Sequence, residues 1–487
     1  MTHQLFRPGS LSLPSFTSAS TSTSTSTLIL TLTLTLTSTL LLSCKTREQT
    51  KPMAEPPAQV VKHGNPDWDD QAVMYEVNIR QYTPEGTFTA FSHHVDRLAK
   101  MGVDILWLMP IFPISEERRK GSLGSYYSVT DFMETNPEFG TKADFKSLVD
   151  KIHGSGMKVI IDWVPNHTGW GHVWIKSHPE YYTQDSAGNI IDPIDPSTGK
   201  SWGWTDVADL NFDNKEMRQA HIDAMQYWVS EFDIDGFRYD VAHNVPEDFW
   251  VTVSDSLRVM RPLLLLGESE VPAFRNNGSL DLDYGWEFHH ILNDIAKGRK
   301  NANHIDSFLV KDRMRNTKGY HLYFTSNHDE NSWQGTEFER MGDAHQTMAV
   351  LAFLFDGMPL LYSGQEEPLR KRLAFFDKDS IEWKNYAYES FYKTLFDLKQ
   401  NNRALGNGEA GAPLEKLLSH PNVFAFRRTK DNQSVTAIIN VTGRRQTISL
   451  ETDLPGMKEV FTGKVFTYQK GQKIILKPWE YLVYTNP

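Results

Sequence analysis

The chain has 487 residues, of which 39% are hydrophobic and 13 are tryptophan, a composition that gives it a sizeable core and excludes pervasive disorder. Its 61 acidic residues against 50 basic ones leave a net charge of −11, and with no dense basic cluster nucleic acid is excluded as a partner. A single cysteine, Cys44, excludes an internal disulfide and a thiolate metal cluster.

Residues 1–44 are a low-complexity Thr/Ser/Leu tract that ends in "LLSC" (41–44). The stretch 28–42 is too short for a comfortable membrane span and reads as a secretory signal. "LLSC" resembles the lipobox of bacterial lipoproteins, which implies lipid on Cys44 and an exported, membrane-anchored protein, with no other membrane contact. A true start at Met53, giving a cytoplasmic protein, and an uncleaved tail are the competing readings. Residues 45–67 are polar and proline-bearing, as suits a tether.

From residue 68 to 405 short β-type runs alternate with amphipathic helical ones. "VMYEVNI" (73–79) is followed by a helical pattern over 89–102, "DILWLMP" (104–110) by one over 141–157, and "KVIIDWV" (158–164) opens a third cycle. The runs "RPLLLLGE" (261–268) and "GMPLLYSG" (357–364) are continuously apolar, as in parallel strands covered on both faces. About eight cycles over roughly 340 residues predict an α/β fold, a (β/α)8 TIM barrel. Residues 168–211, rich in Gly, Pro, Asp and Trp, are far longer than an ordinary βα loop and read as a small inserted domain after strand 3. After 405 the helical period stops, and the runs at 423–430, 434–442, 446–452 and 473–485 predict a C-terminal all-β sandwich over 406–487.

Chemistry in such a barrel sits where strand C-termini converge. The polar residues closing apolar strands are Asp162, Asn166, His167, Arg238, Asp240, Glu268, Asn327, His328 and Asp329. Each alone has an ordinary explanation as a cap, a core histidine or an ion pair. Together they require several strands to carry near-buried charge at one rim, which unrelated structural causes do not explain.

The segments "DWVPNH" (162–167), "GFRYD" (236–240), "LLGE" (265–268) and "SNHD" (326–329) resemble, in order, the four signatures of the α-amylase family of glycoside hydrolases. The likeness runs from about residue 70 to the end. It implies a retaining hydrolase of α-glucosidic bonds, mainly α-1,4, in starch-derived glucans or maltooligosaccharides. In the implied roles Asp240 is the nucleophile, Glu268 the general acid/base and Asp329 the carboxylate that stabilises the transition state. Tyr127, His167, Arg238 and His328 would bind substrate. Strands 4 and 5 would be neighbours ~4.8 Å apart, which suits the ~5 to 5.5 Å carboxyl separation of retaining enzymes. On this reading Arg238 keeps Asp240 ionised, and Glu268 has a raised pKa from poor solvation and like charge. Trp170, Trp174, Trp202 and Trp204 are either stacking platforms or local packing.

Where many members follow the nucleophile with Lys-His, this chain has His243 and Asn244, closer to the "DVANEV" type of cyclomaltodextrin- and pullulan-degrading members. The resemblance implies no required cofactor. Family calcium, where present, would use Asn166 and Asp209, two oxygen donors against the six to eight calcium takes. A transglycosylase or isomerase shares every residue named, and a non-catalytic, lipid-tethered glycan-binding protein is the rival from another class. Oligomeric state has no signature in the sequence.

Overall fold

The computed structural model describes residues 66–195 and 198–486. Cys44, Met53 and the tether therefore lie outside the described residues.

Eight parallel strands close into a barrel: β1 Met74–Val77, β2 Ile105–Leu108, β3 Lys158–Trp163, β4 Gly236–Tyr239, β5 Leu264–Gly267, β6 Leu282–Tyr284, β7 Tyr320–Tyr323 and β8 Met358–Tyr362. Their order is β1-β8-β7-β6-β5-β4-β3-β2, so each strand pairs with its sequence neighbours and β1 meets β8. The alternation hidden inside the continuously apolar runs now has a cause. Met74, Ile105, Trp107, Ile160, Leu264, Leu266, Leu322 and Leu360 point inward and fill the barrel. Tyr75, Val77, Leu106, Leu108, Val159, Ile161 and Leu265 point outward into the layer packed under the helices.

The helices present the matching faces. Lys142–Gly154 buries Phe145, Leu148, Val149 and Ile152, spaced for one helical stripe, and opens on a Thr141–Asp144 capping box. Lys215–Phe232 buries Met217, His221, Met225, Trp228 and Phe232 and stops at Asp233, which is left-handed with φ 64°. The run predicted as one helix over 89–102 is two short helices, Phe88–Ser92 and Val95–Met101, parted at His93 and His94.

Close approach fixes the position of β4. A Cβ on Gly236 would collide with the carbonyl oxygen of Leu264, so the residue must be glycine for β4 and β5 to pair as they do. The register sets Asp162 of β3 beside Arg238 of β4. Alternation then sends both side chains inward at the C-terminal mouth.

Between β3 and the helix Lys215–Phe232, the strands His167–Gly169 and Val207–Asp209 pair antiparallel over a small core of Trp170, Tyr181, Tyr182, Ala208, Leu210 and Met217. The C-terminal strands form a six-stranded sheet and a two-stranded one, Gln446–Ser449 with Lys473–Leu476. Ile448, Ile474 and Leu476 of the small sheet pack with Val423, Ala425 and Ile438 of the large one, giving the expected antiparallel two-layer arrangement.

Candidate active site

Arg238 is the hub of the mouth. It is fully buried, and its planar fork serves several partners at once. Nη1 donates to Asp162 Oδ1 at 2.9 Å and Oδ2 at 3.2 Å, and to Asp240 Oδ1 at 2.9 Å. Nε donates to the Tyr284 hydroxyl at 3.1 Å. Nη2 stands 3.0 Å from Glu268 Oε2, an ion pair outside hydrogen-bond alignment. The rings of Trp107, Tyr284 and Tyr127 surround the guanidinium at 5.1, 5.6 and 5.9 Å.

Asp240 follows β4 directly, and its N–H donates to the Trp163 carbonyl at 2.9 Å. Val241 beside it is left-handed, with φ 45°, a conformation that costs a β-branched residue energy. That turn aims the Val241 N–H at Glu268 Oε2, 2.8 Å away. Backbone strain is thus stored where the two carboxyl groups meet.

After β7, His328 links a second set of groups. Its Nδ1 lies 2.6 Å from Glu76 Oε1, and its Nε2 lies 2.8 Å from the Tyr127 hydroxyl and 3.3 Å from Asp329 Oδ2. The Tyr127 hydroxyl also donates to Asp162 Oδ2 at 3.2 Å. Asp329 is the more open of the carboxylates, its side chain 37% exposed.

All three carboxylates singled out in the sequence, with Tyr127, Arg238 and His328, therefore join one hydrogen-bonded and ion-paired network. His167 stands apart from that network. It is buried on the strand that pairs with Val207–Asp209, takes a 3.2 Å contact from Asn166 Nδ2, and faces the edge of Trp204 at 5.8 Å. Trp202 stacks on Trp204 at 5.8 Å, while Trp170 and Trp174 pack within the insert. Glu76, Trp107 and Tyr284 are network members not singled out from the sequence. A glutamate inside the apolar run "VMYEVNI" was the available signal for Glu76.

The protonation pattern corrects the expectation for the unliganded site. Burial pushes Asp240 well above the ordinary carboxylate range, and Glu268 and Asp162 add to this against the pull of Arg238. Glu268 lies below its ordinary value: burial acts upward, but Arg238, the Val241 N–H, His243 and His328 together outweigh it. The sequence led us to expect the reverse for both. The reason is that Arg238 reaches both carboxyls, and only Glu268 also receives a backbone donor. Burial likewise raises Asp162 to about 6 against Arg238 and His328 nearby. For His328 burial acts downward, but Asp329 and Glu76 carry it up to about 9, so it is an imidazolium at neutral pH. Burial lowers His167 to about 4, so it stays neutral.

Of the calcium candidates, Asn166 precedes His167, which is the register partner of Asp209, and among the described residues no group of three or more His, Cys, Asp or Glu is placed to hold a metal.

Five carboxyl groups (Glu76, Asp162, Asp240, Glu268 and Asp329) thus gather around Arg238 and His328 at the C-terminal mouth of the barrel. The family described as "Alpha amylase, catalytic domain" matches residues 58–404. The chain belongs to the α-amylase family of glycosidases. It is 26% identical over 409 residues to Alpha-amylase MalA of Haloarcula japonica, covering 80% of this chain and 58% of the relative. It is 28% identical over 424 residues to the intracellular maltogenic amylase of Bacillus subtilis strain 168, covering 80% of this chain and 68% of that one. Among solved structures, the noncanonic maltogenic alpha-amylase AmyB from Thermotoga neapolitana superposes with a TM-score of 0.76 at 26% identity, over 85% of this chain and 98% of that one. Within this α-amylase family member, the four signature segments supply the mouth of the barrel from β3, β4, β5 and the loop after β7.

Proposed function

We infer that the protein is a retaining hydrolase of α-glucosidic bonds, mainly α-1,4, acting on maltooligosaccharides and related starch-derived glucans. The observation that carries this reading is the contact of Asp240 and Glu268 with one guanidinium, which favours the short carboxyl separation of retaining enzymes, ~5 to 5.5 Å, over the ~6.5 to 9.5 Å that leaves room for a water. Relatives named maltogenic amylase, cyclomaltodextrinase and neopullulanase, with His243 and Asn244 after the nucleophile position, favour short or cyclic maltooligosaccharides over long starch.

In the reaction Asp240 attacks the anomeric carbon as the bond to the leaving oxygen breaks, and Glu268 passes its proton to that oxygen. Glu268 then takes a proton from the water that attacks the glycosyl ester, which frees Asp240. Asp329 and His328 face the sugar ring, Tyr127 stacks beneath it, and His167 offers a neutral imidazole to a hydroxyl. The site must enter the cycle with its mobile proton on Glu268. That proton belongs to the coupled cluster and not to one carboxyl. A neutral glycosidic oxygen set against Glu268 favours its donating form, and sugar hydroxyls donating to Asp240 favour its charge. Arg238 accommodates the exchange because it touches both.

The test is release of glucose and maltose from maltoheptaose by the wild type and by Asp240→Asn. The wild type should release them and the variant should fall by at least ~10³-fold. Equal, background-level release would leave a binding protein, and longer products would indicate a transglycosylase. We further propose that Cys44 carries a lipid anchor, supported by the "LLSC" segment. Membrane association of the expressed full chain should be lost in Cys44→Ala, and equal partitioning of both would overturn the anchor.

A further inference from the structure

Trp333 raises a question that the chemistry of the cleaved bond does not answer. It is 45% exposed, and no other Trp, Phe or Tyr among the described residues is so open. An isolated surface aromatic needs no explanation, but this one is neither isolated nor loosely held. It belongs to the single π-helical turn Glu330–Gln334, which begins one residue after Asp329. Asn331 and Ser332 bind that turn to the loop after β8: Asn331 Nδ2 donates to the Lys371 carbonyl at 3.2 Å, Asn331 Oδ1 accepts from the Leu373 N–H at 2.8 Å, and Ser332 Oγ donates to the Leu373 carbonyl at 2.9 Å.

The same loop supplies the backing. Phe375 and Phe376 meet Trp333 with ring centroids 5.1 and 5.7 Å away. Phe375 in turn lies nearly parallel to Tyr127, at 6.3 Å and 11°. Phe376 is held by its carbonyl, which accepts from the Leu123 N–H at 2.9 Å. A chain of ring contacts thus leads from the buried Tyr127 of the carboxylate network to an open indole.

Its direction follows from the barrel. Glu268 must face the leaving oxygen, so the departing part of the glucan extends over the β5 side. In the closed order, β1 stands opposite β5 and β8 opposite β4, so the loop after β8 rises from the far wall. We propose that Trp333, backed by Phe375 and Phe376, is the stacking platform for a glucose unit on the non-reducing side of the cleaved bond, beyond the ring that Asp240 attacks. The indole offers a flat apolar face to the apolar face of a sugar whose hydroxyls stay solvated at its edges. The enzyme therefore gains rate from glycone length, and Trp333 is a specificity residue for chains with two or more glucose units on that side. This rests on the hydrolase reading above.

The test holds the leaving group constant and lengthens the glycone, comparing kcat/KM for 4-nitrophenyl α-maltotrioside with that for 4-nitrophenyl α-glucoside. In Trp333→Ala the trioside-to-glucoside ratio should drop about tenfold relative to wild type, and Trp333→Tyr should restore most of it. An unchanged ratio in an active Trp333→Ala overturns the platform. If the wild type releases no nitrophenol from either substrate, the hydrolase reading fails separately, and the platform is judged by calorimetric binding of maltoheptaose. Weaker binding to Trp333→Ala by a similar factor then supports the platform, and equal binding overturns it.

Discussion

Arg238 shows why a barrel interior accepts a charge. Its fork satisfies Asp162, Asp240 and the Tyr284 hydroxyl while standing beside Glu268. An ammonium is a point donor on a flexible stem and cannot reproduce that geometry, so Arg238→Lys should lower kcat by ~10²-fold or more in steady-state assays. Arg238→Ala leaves buried carboxyls without their cation and should cost about 3–5 kcal/mol, read from denaturant midpoints. His328 sets the alkaline behaviour. Its pKa in the folded protein, about 9, lies above the ordinary histidine value, so the stability it contributes is fully present below pH ~6.5 and is lost as pH rises through 9. Glu76→Gln removes one of the two anions that raise it. The alkaline limb of both kcat/KM and thermal stability should then move to lower pH, as pH titrations of the variant would read.

At the scale of elements, the contact between β4 and β5 carries the site. Gly236→Ala places a methyl group against the Leu264 carbonyl, and the strands that end in Asp240 and Glu268 must separate. The variant should lose about 1–3 kcal/mol in denaturant unfolding, together with activity, although the substitution touches no reacting group. The parts legible in the sequence were those set by burial and order. Continuous apolar runs announced the strands, and the polar residues that closed them announced Asp240, Glu268 and Asp329. What stayed hidden depends on contacts between distant segments. β6 is three residues long with Asp283 at its centre, too short and too polar to signal a strand. The left-handed Val241 leaves no compositional trace, yet its N–H is a donor to the Glu268 carboxyl, 2.8 Å from Oε2. The same holds for Tyr284, whose role exists only because β6 closes beside Arg238.

On the scale of the whole molecule, one buried residue joins the C-terminal sheet to the barrel. Arg428, on the strand Val423–Lys430, donates to the carbonyls of Leu354, Phe355, Gly406 and Ala412, so a guanidinium occupies carbonyl acceptors that close β8's approach and the chain leaving the barrel. Arg428→Ala strands these acceptors away from water. Its melting temperature should fall in step with a loss of about 3–5 kcal/mol, while kcat/KM measured well below that temperature stays near wild type, since no reacting residue is touched. An unchanged melting temperature would show that the other contacts of the seam, such as those of Thr347 Oγ1 with the Trp479 carbonyl and of the Ala302 N–H with the Pro421 carbonyl, hold it without Arg428.

The proposed roles of Asp240 and Glu268 require two successive displacements at one carbon, and the product's first anomer reports this without perturbing the enzyme. Proton NMR of maltoheptaose hydrolysis by the wild-type protein, recorded before mutarotation equilibrates the products, should show the α-anomer first. A β-anomer appearing first would mean a single displacement by water and would contradict the assignment of Asp240 as nucleophile.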